Sequence, residues 1–144
     1  MKTHKIFWSA DFSVQSHYID QQHQQLIAIV NDFNQAVSRG EGTKIAYAIL
    51  NRLVQYTEAH FRDEEKLMQM ARLPADLLNA HIKEHEKLTE EIFRHCENWS
   101  NYGEESLPAI GKFLAEWLLD HILIADMQYS KYIIRVDDRF LTVK

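Results

Sequence analysis

Four long stretches of this chain carry apolar residues at helical spacing, and histidine interrupts the stripe in each of them. The densest interruption is His81-Ile82-Lys83-Glu84-His85. Residues four apart on a helix lie about 40° apart in projection, at roughly 100° per residue, so the two imidazoles stand one above the other. At that spacing they can share one metal ion. His60 and Glu64 repeat the spacing upstream, His23 stands earlier still, and His121 is followed by Asp126. Five histidines and two carboxylates thus fall on four separate segments. An ionised carboxylate on a buried face is costly unless it is paired or bound to a metal.

The stripes set the expected elements. His23, Leu26, Ile27, Val30, Phe33 and Val37 predict a helix over 19–39, with Asp20 as N-cap and Gly40-Glu41-Gly42 as its end. Ile45, Ile49, Leu50, Leu53, Tyr56 or Thr57, His60, Glu64, Leu67 and Met68 predict a second helix over 43–71, stopped by Pro74. Leu77 or Leu78, His81, His85, Leu88, Ile92, Cys96 and Trp99 predict a third over 74–99. Leu107, Ile110, Phe113, Leu114, Trp117, Leu118, His121, Ile124, Tyr129 and Ile133 predict a fourth over 106–136. Only 4 Gly and 2 Pro occur in 144 residues, which leaves little to break such long elements. The expected fold is all-α: an antiparallel, up-down-up-down four-helix bundle with an N-terminal arm. The expected organisation is one domain over 1–144, with the arm at 1–18, the bundle at 19–136 and a tail at 137–144. Ile6, Phe7, Trp8 and Phe12 are the expected anchors of the arm.

Helices alternating in direction bring the histidines to similar heights. His23 is early in its helix, His60 late, His81 early and His121 midway. The net charge of −5 speaks against a nucleic-acid binder, which would show a basic patch. No apolar run approaches the 18 or so residues that span a bilayer, and the N-terminus lacks the apolar stretch of a signal peptide. A single cysteine, Cys96, excludes an internal disulfide and a cysteine-based metal site; it reads as a small core or boundary residue. His95 reads as a solvated residue. The default expectation is a cytoplasmic protein, a monomer or weak oligomer, with no nucleic-acid or membrane partner.

Seven nitrogen and oxygen donors are too many for one tetrahedral zinc ion. Imidazole with carboxylate suits iron among other transition metals, and two metals sharing bridging carboxylates would use all seven. Asp126 is the awkward member. It follows His121 by five residues, roughly 140° around an ideal helix at 100° per residue. Both can ligate only if Asp126 reaches in from the edge or the helix widens locally, as in a π-bulge.

At these residues the sequence resembles the hemerythrin family, in particular its single-domain bacterial members. The family pattern is a lone His, then HxxxE, HxxxH and HxxxxD. It stands here as His23, His60-Phe-Arg-Asp-Glu64, His81-Ile-Lys-Glu-His85 and His121-Ile-Leu-Ile-Ala-Asp126, and the likeness includes Ile19-Asp20-Gln21-Gln22-His23 and spans about residues 8–133. The resemblance implies a non-haem di-iron site. One iron would take His81, His85 and His121, and the other His23 and His60 with one position open. Glu64 and Asp126 would bridge the two irons together with an oxo or hydroxo group. In the family, O2 binds at the open position and is held reversibly as hydroperoxide. By position, the O2 pocket would be lined by Leu26, Phe61, Trp117, Leu118 and Ile122. The arm departs from the family, with Val14-Gln15-Ser16-His17 where bacterial members often carry Gly and an apolar residue after Val.

The resemblance thus implies a binding protein for O2 storage, delivery or sensing rather than an enzyme. Rival readings are a di-iron enzyme handling peroxide or nitric oxide, and iron storage or repair on the same fold. Ferritin-like proteins build their site from Glu-x-x-His pairs. No Glu stands three residues before a histidine here, which speaks against that class.

Overall fold

The computed structural model describes residues 5–123 and 126–133; the side chains at 96, 98–102, 104 and 121–123 lie outside that description. Ile124, Val136 and the tail at 137–144 fall outside it too. The described residues are all-helical, with no strand among them. A short 3-10 turn, Ala10–Phe12, precedes three long helices: α1 (His17–Ser38), α2 (Thr43–Met70) and α3 (Ala75–Tyr102). A 3-10 turn, Gly103–Ser106, leads into α4 (Leu107–Trp117). The chain then widens into a π-helical turn, Leu118–Leu123, and the described residues close with a 3-10 turn, Met127–Tyr129, and one α-turn, Ser130–Ile133. No described helix is long and apolar enough to cross a membrane.

α1 starts two residues earlier than the stripe predicts, and its N-cap is Ser16, not Asp20. The Ser16 hydroxyl accepts the Ile19 N–H at 3.3 Å, as a capping side chain does. Asp20 lies in the first turn and reaches back to the arm, accepting from the Val14 N–H at 2.9 Å and from the Ser13 hydroxyl. At the other end, Gly40 adopts φ +65°, and the Gly40 and Glu41 N–H groups return to the Val37 and Ala36 carbonyls at 3.1 Å each. That is the Schellman closure, which needs a left-handed residue at its corner. α2 closes the same way, but there the left-handed corner is Arg72, at φ 57°.

α1 packs against α2 and α4, and α3 packs against α2 and α4. Polar contacts fix the pairing. Gln22 meets Asp63 and Asp32 meets Arg52 between α1 and α2. Glu65 meets His85 between α2 and α3, and His95 stacks on Phe113 at 3.9 Å between α3 and α4. His95 is thus a half-buried interface residue, not a solvated one, because the Phe113 ring offers it a flat apolar face. α1 and α4 cross closely at Gly111, whose carbonyl accepts the Asn34 amide at 3.3 Å; a Cβ there would sit 2.0 Å from Asn34 Oδ1.

The buried apolar residues form two clusters. The larger takes in Leu26, Val30, Phe33, Leu53, Phe61, Leu88, Leu114, Trp117 and Leu118. The smaller holds Val14, Ile19, Leu67, Met68, Leu73, Tyr129 and Ile133. The arm docks through Ile6, whose backbone N–H and carbonyl are both bonded by Asn31, and through Val14; Trp8 and Phe12 are half-buried. Phe7, an expected anchor, is 71% exposed, and its neighbour Ile6 takes the buried position. Ile45 is likewise exposed at 46%, and Ala46 takes the inward position that leads to Leu50 and Leu53.

Candidate metal centre

Between the two apolar clusters lies a polar layer. His23, His60, Glu64, His81, His85 and Asp126 are all buried there, each no more than 8% exposed. α1 supplies His23, α2 supplies His60 and Glu64, and α3 supplies His81 and His85. Asp126 arrives just after the π-turn, at the start of the 3-10 turn Met127–Tyr129. A π-turn closes i→i+5 hydrogen bonds and so takes in one extra residue, which lets a five-residue spacing come round. The His121 backbone lies in that turn, but its side chain, like that of Ile122, is outside the described residues.

The six described side chains form two overlapping groups of four. His23, His60, Glu64 and Asp126 make one; Glu64, His81, His85 and Asp126 make the other. Within each group, ligand atoms lie within 4.8 Å of one another. Both carboxylates are shared. Asp126 spans His23 Nε2 at 3.1 Å and His81 Nε2 at 2.7 Å. Glu64 Oε1 faces His60 Nε2 at 3.0 Å and His85 Nε2 at 3.5 Å, and Glu64 Oε2 stands 3.6 Å from His23 Nε2.

Three of these converging atoms, His60 Nε2, His85 Nε2 and Glu64 Oε1, are buried with no hydrogen-bond partner among the described residues. An orphaned buried acceptor or donor costs roughly 1–3 kcal/mol. Here the orphans point at each other across a gap that a cation would fill, and imidazole with carboxylate suits a transition metal. The donor set therefore fits a pair of metal ions.

The carboxylates and the burial also shift the titration of the groups in this layer. Burial alone would lower the His23 ring, but its hydrogen bonds to Asp126 and Glu64 and their charges outweigh that and raise it to about 9. Burial opposes the charged form of His85 too, and Glu64 and Glu65 raise it to about 9. His81 is raised through Asp126 against the same burial. Burial alone would raise the Glu64 carboxyl, yet the surrounding histidines hold it well below the usual carboxylate range. Asp126 is pushed up by its burial and by the charge of Glu64.

Four residues that sequence reasoning did not single out support the centre. Tyr129, fully buried, donates its hydroxyl to Glu64 Oε2 and stacks on His81 at 5.4 Å. Burial and the neighbouring carboxylates push its hydroxyl well above its ordinary range, so it stays a donor. Gln22 accepts from His60 Nδ1 at 2.7 Å and donates to Asp63 at 2.8 Å. Glu65 accepts from His85 Nδ1 at 2.8 Å. Gln22 left a signal in the sequence, since it lies three residues after Ile19 and four before Leu26, where a core residue belongs. Tyr129 left a weaker one, a hydroxyl on an apolar stripe. Glu65 and Asp63 left none, because they sit in a run of charges, Asp63-Glu64-Glu65-Lys66.

Of the residues expected to line a pocket, Leu26, Phe61, Trp117 and Leu118 are all buried in the larger apolar cluster. Phe61 stacks flat on His85, with centroids 3.8 Å apart and 4° between planes.

A helical bundle in which four segments converge histidines and shared carboxylates on one buried layer defines a class of metal-binding protein. The family model for the Hemerythrin HHE cation binding domain matches residues 14–133. The chain belongs to the hemerythrin family. It is similar to the Bacteriohemerythrin of Stenotrophomonas maltophilia (strain R551-3), at 27% identity over 87% of this chain and 79% of the relative. It is 29% identical to the Bacteriohemerythrin of Methylococcus capsulatus (strain ATCC 33009 / NCIMB 11132 / Bath), over 85% of this chain and 91% of the relative. The Hemerythrin-like protein of Naegleria gruberi is 23% identical over 85% and 89%.

Proposed function

We propose that this chain binds O2 reversibly at a pair of iron ions, for storage, delivery or sensing. The observation that carries the reading is the pair of donor groups that share Glu64 and Asp126. His23 and His60 would hold one ion, and His81 and His85, with His121 on the family pattern, the other. Two ferrous ions would supply the electrons that bind O2, and the chain's own residues do the rest. Glu64 and Asp126 tie the two positions together. Tyr129 fixes one Glu64 oxygen, and Gln22 and Glu65 fix the ring orientations of His60 and His85. Leu26, Phe61, Trp117, Leu118 and Ile122 are proposed to wall the ligand pocket. Their apolar side chains keep bulk water, and hence protons, from the bound ligand.

We also infer an up-down-up-down, antiparallel bundle. It is supported by contacts that pair the start of one helix with the end of its neighbour: Gln22, early in α1, with Asp63, late in α2, and Glu65, late in α2, with His85, in the first half of α3.

The test is an optical spectrum of the anaerobically reduced, iron-loaded protein, before and after O2 and then under argon. A visible charge-transfer band that grows with O2 and fades on purging is the expected result. Immediate, irreversible conversion to the spectrum of the oxidised pair would overturn reversible binding and favour redox turnover.

A further inference from the structure

His60 and His85 face the same oxygen, Glu64 Oε1, at 3.0 and 3.5 Å, each through an Nε2 that has no hydrogen-bond partner among the described residues. Their other ring nitrogens part company. His60 Nδ1 donates to an amide carbonyl, Gln22 Oε1, and His85 Nδ1 donates to a carboxylate, Glu65 Oε2. The amide is not free to turn over. Gln22 Nε2 donates to Asp63 Oδ2 at 2.8 Å, and a carboxylate only accepts, so Oε1 is the atom left for His60. The surroundings differ as well. Gln22 is 2% exposed, whereas the Glu65 side chain is 28% exposed and lines a cleft of about 510 Å3 with Phe61, Arg62 and Glu86.

An amide and a carboxylate are unequal acceptors. A hydrogen bond to an ionised acceptor is roughly twice as strong as a neutral one. A carboxylate on one ring nitrogen raises the basicity of the other toward a metal. A more basic ligand stabilises the more highly charged ion. We propose that Glu65 and Gln22 are positioning residues that make the two metal positions electronically unequal. The position at His81 and His85 favours the ferric ion, and the position at His23 and His60 favours the ferrous ion. When the reduced pair gives up one electron to a redox mediator, that electron leaves from the His85 side, and the ferrous ion beside His60 remains. This rests on the di-iron reading above.

The experiment is a mediated redox titration of the iron-loaded protein. The mixed-valence pair is followed by its half-integer-spin electron paramagnetic resonance, and iron per chain is counted in every sample. The wild type is expected to show two separated one-electron steps. Glu65→Gln should raise the lower potential, and Gln22→Glu should lower the higher one. Either change reduces the equilibrium constant for forming the mixed-valence pair about tenfold, which is about 59 mV of separation. Glu65→Asp, which keeps the charge, should retain the wild-type separation, and a role in folding alone predicts none of these opposite shifts. If one variant fails to hold two irons, the other decides. Potentials in the loaded variants that match the wild type would overturn the proposal. A wild-type chain that holds no iron pair would instead refute the parent reading.

Discussion

α2 and the segment from Leu107 to Ile133 each bring a carboxylate to the same layer, by opposite means. α2 runs unbroken for 28 residues, and His60 and Glu64 share a face because four residues make a little more than one turn. The fourth segment has no such regularity. It widens at Leu118–Leu123 and tightens at Met127–Tyr129, and Asp126 comes in between those changes. A regular helix satisfies its own backbone and needs its side chains only for packing. An irregular one must be held by partners, and here they are visible: Asp126 to His23 and His81, and Tyr129 to Glu64.

Removing one carboxylate from each segment breaks that comparison, and it carries the largest expected effect. Glu64→Ala and Asp126→Ala should both reduce bound metal from two ions per chain to one at most, measured by elemental analysis. In the metal-free proteins their effects should diverge. Hydrogen bonds to charged groups contribute roughly 1.5–3 kcal/mol each, and every 1.4 kcal/mol is tenfold. Asp126→Ala should therefore speed amide exchange across 118–123 and 126–133 about tenfold or more, while Glu64→Ala leaves α2 as protected as before. Unchanged exchange in the Asp126→Ala protein would mean that apolar packing and the Tyr129–Glu64 bond hold the irregular segment without Asp126.

The same contrast marks what could be read from the chain. The pairs at four-residue spacing, His60 with Glu64 and His81 with His85, are legible because helix geometry alone puts each pair on one face. So are the boundaries at Gly40 and Pro74, where backbone chemistry is local. Asp126 is legible only as a condition: five-residue spacing demands a widened turn, and no residue type announces one. Phe7 and Ile45 mislead because hydrophobicity does not say which side of the chain faces in. Gln22 and Glu65 act across helices on histidines 38 and 20 residues away, so their roles depend on packing that no local pattern encodes.

The regular part of the fourth segment can be tested separately from its irregular part. His95 packs α3 onto α4 through Phe113. Burial lowers the His95 ring below its ordinary 6.5, and the charge of Arg94 adds to that against the pull of Glu91. A lowered histidine means that the unfolded chain binds more protons than the folded one. The contribution of His95 to stability should therefore be lost as pH falls below about 6.5 and be fully present above it. Urea midpoints across pH 5–8 for wild type and His95→Phe check this. The wild-type midpoint should rise relative to that of the variant as pH increases and level off above about 6.5; a parallel pair of curves would remove His95 as a contributor.

The smallest effect lies where α2 ends. α1 closes on Gly40, but α2 closes the same motif on Arg72, a residue with a Cβ held at φ 57°. The left-handed region costs a side-chain-bearing residue roughly 1–2 kcal/mol. Glycine removes that strain but carries extra freedom in the unfolded chain, worth roughly 0.5–1 kcal/mol in the other direction. The balance favours Arg72→Gly by up to about 1.5 kcal/mol, and each 1 kcal/mol is a rise of roughly 2–4 °C in melting temperature. Arg72 is exposed, so little packing is lost with its side chain. The corresponding change at the end of α1, Gly40→Arg, should lower the melting temperature, since it imposes on α1 the strain that α2 carries. A fall in both variants would show that the Arg72 side chain contributes more than its backbone costs, and that α2 is held at its end by a contact rather than by the turn itself.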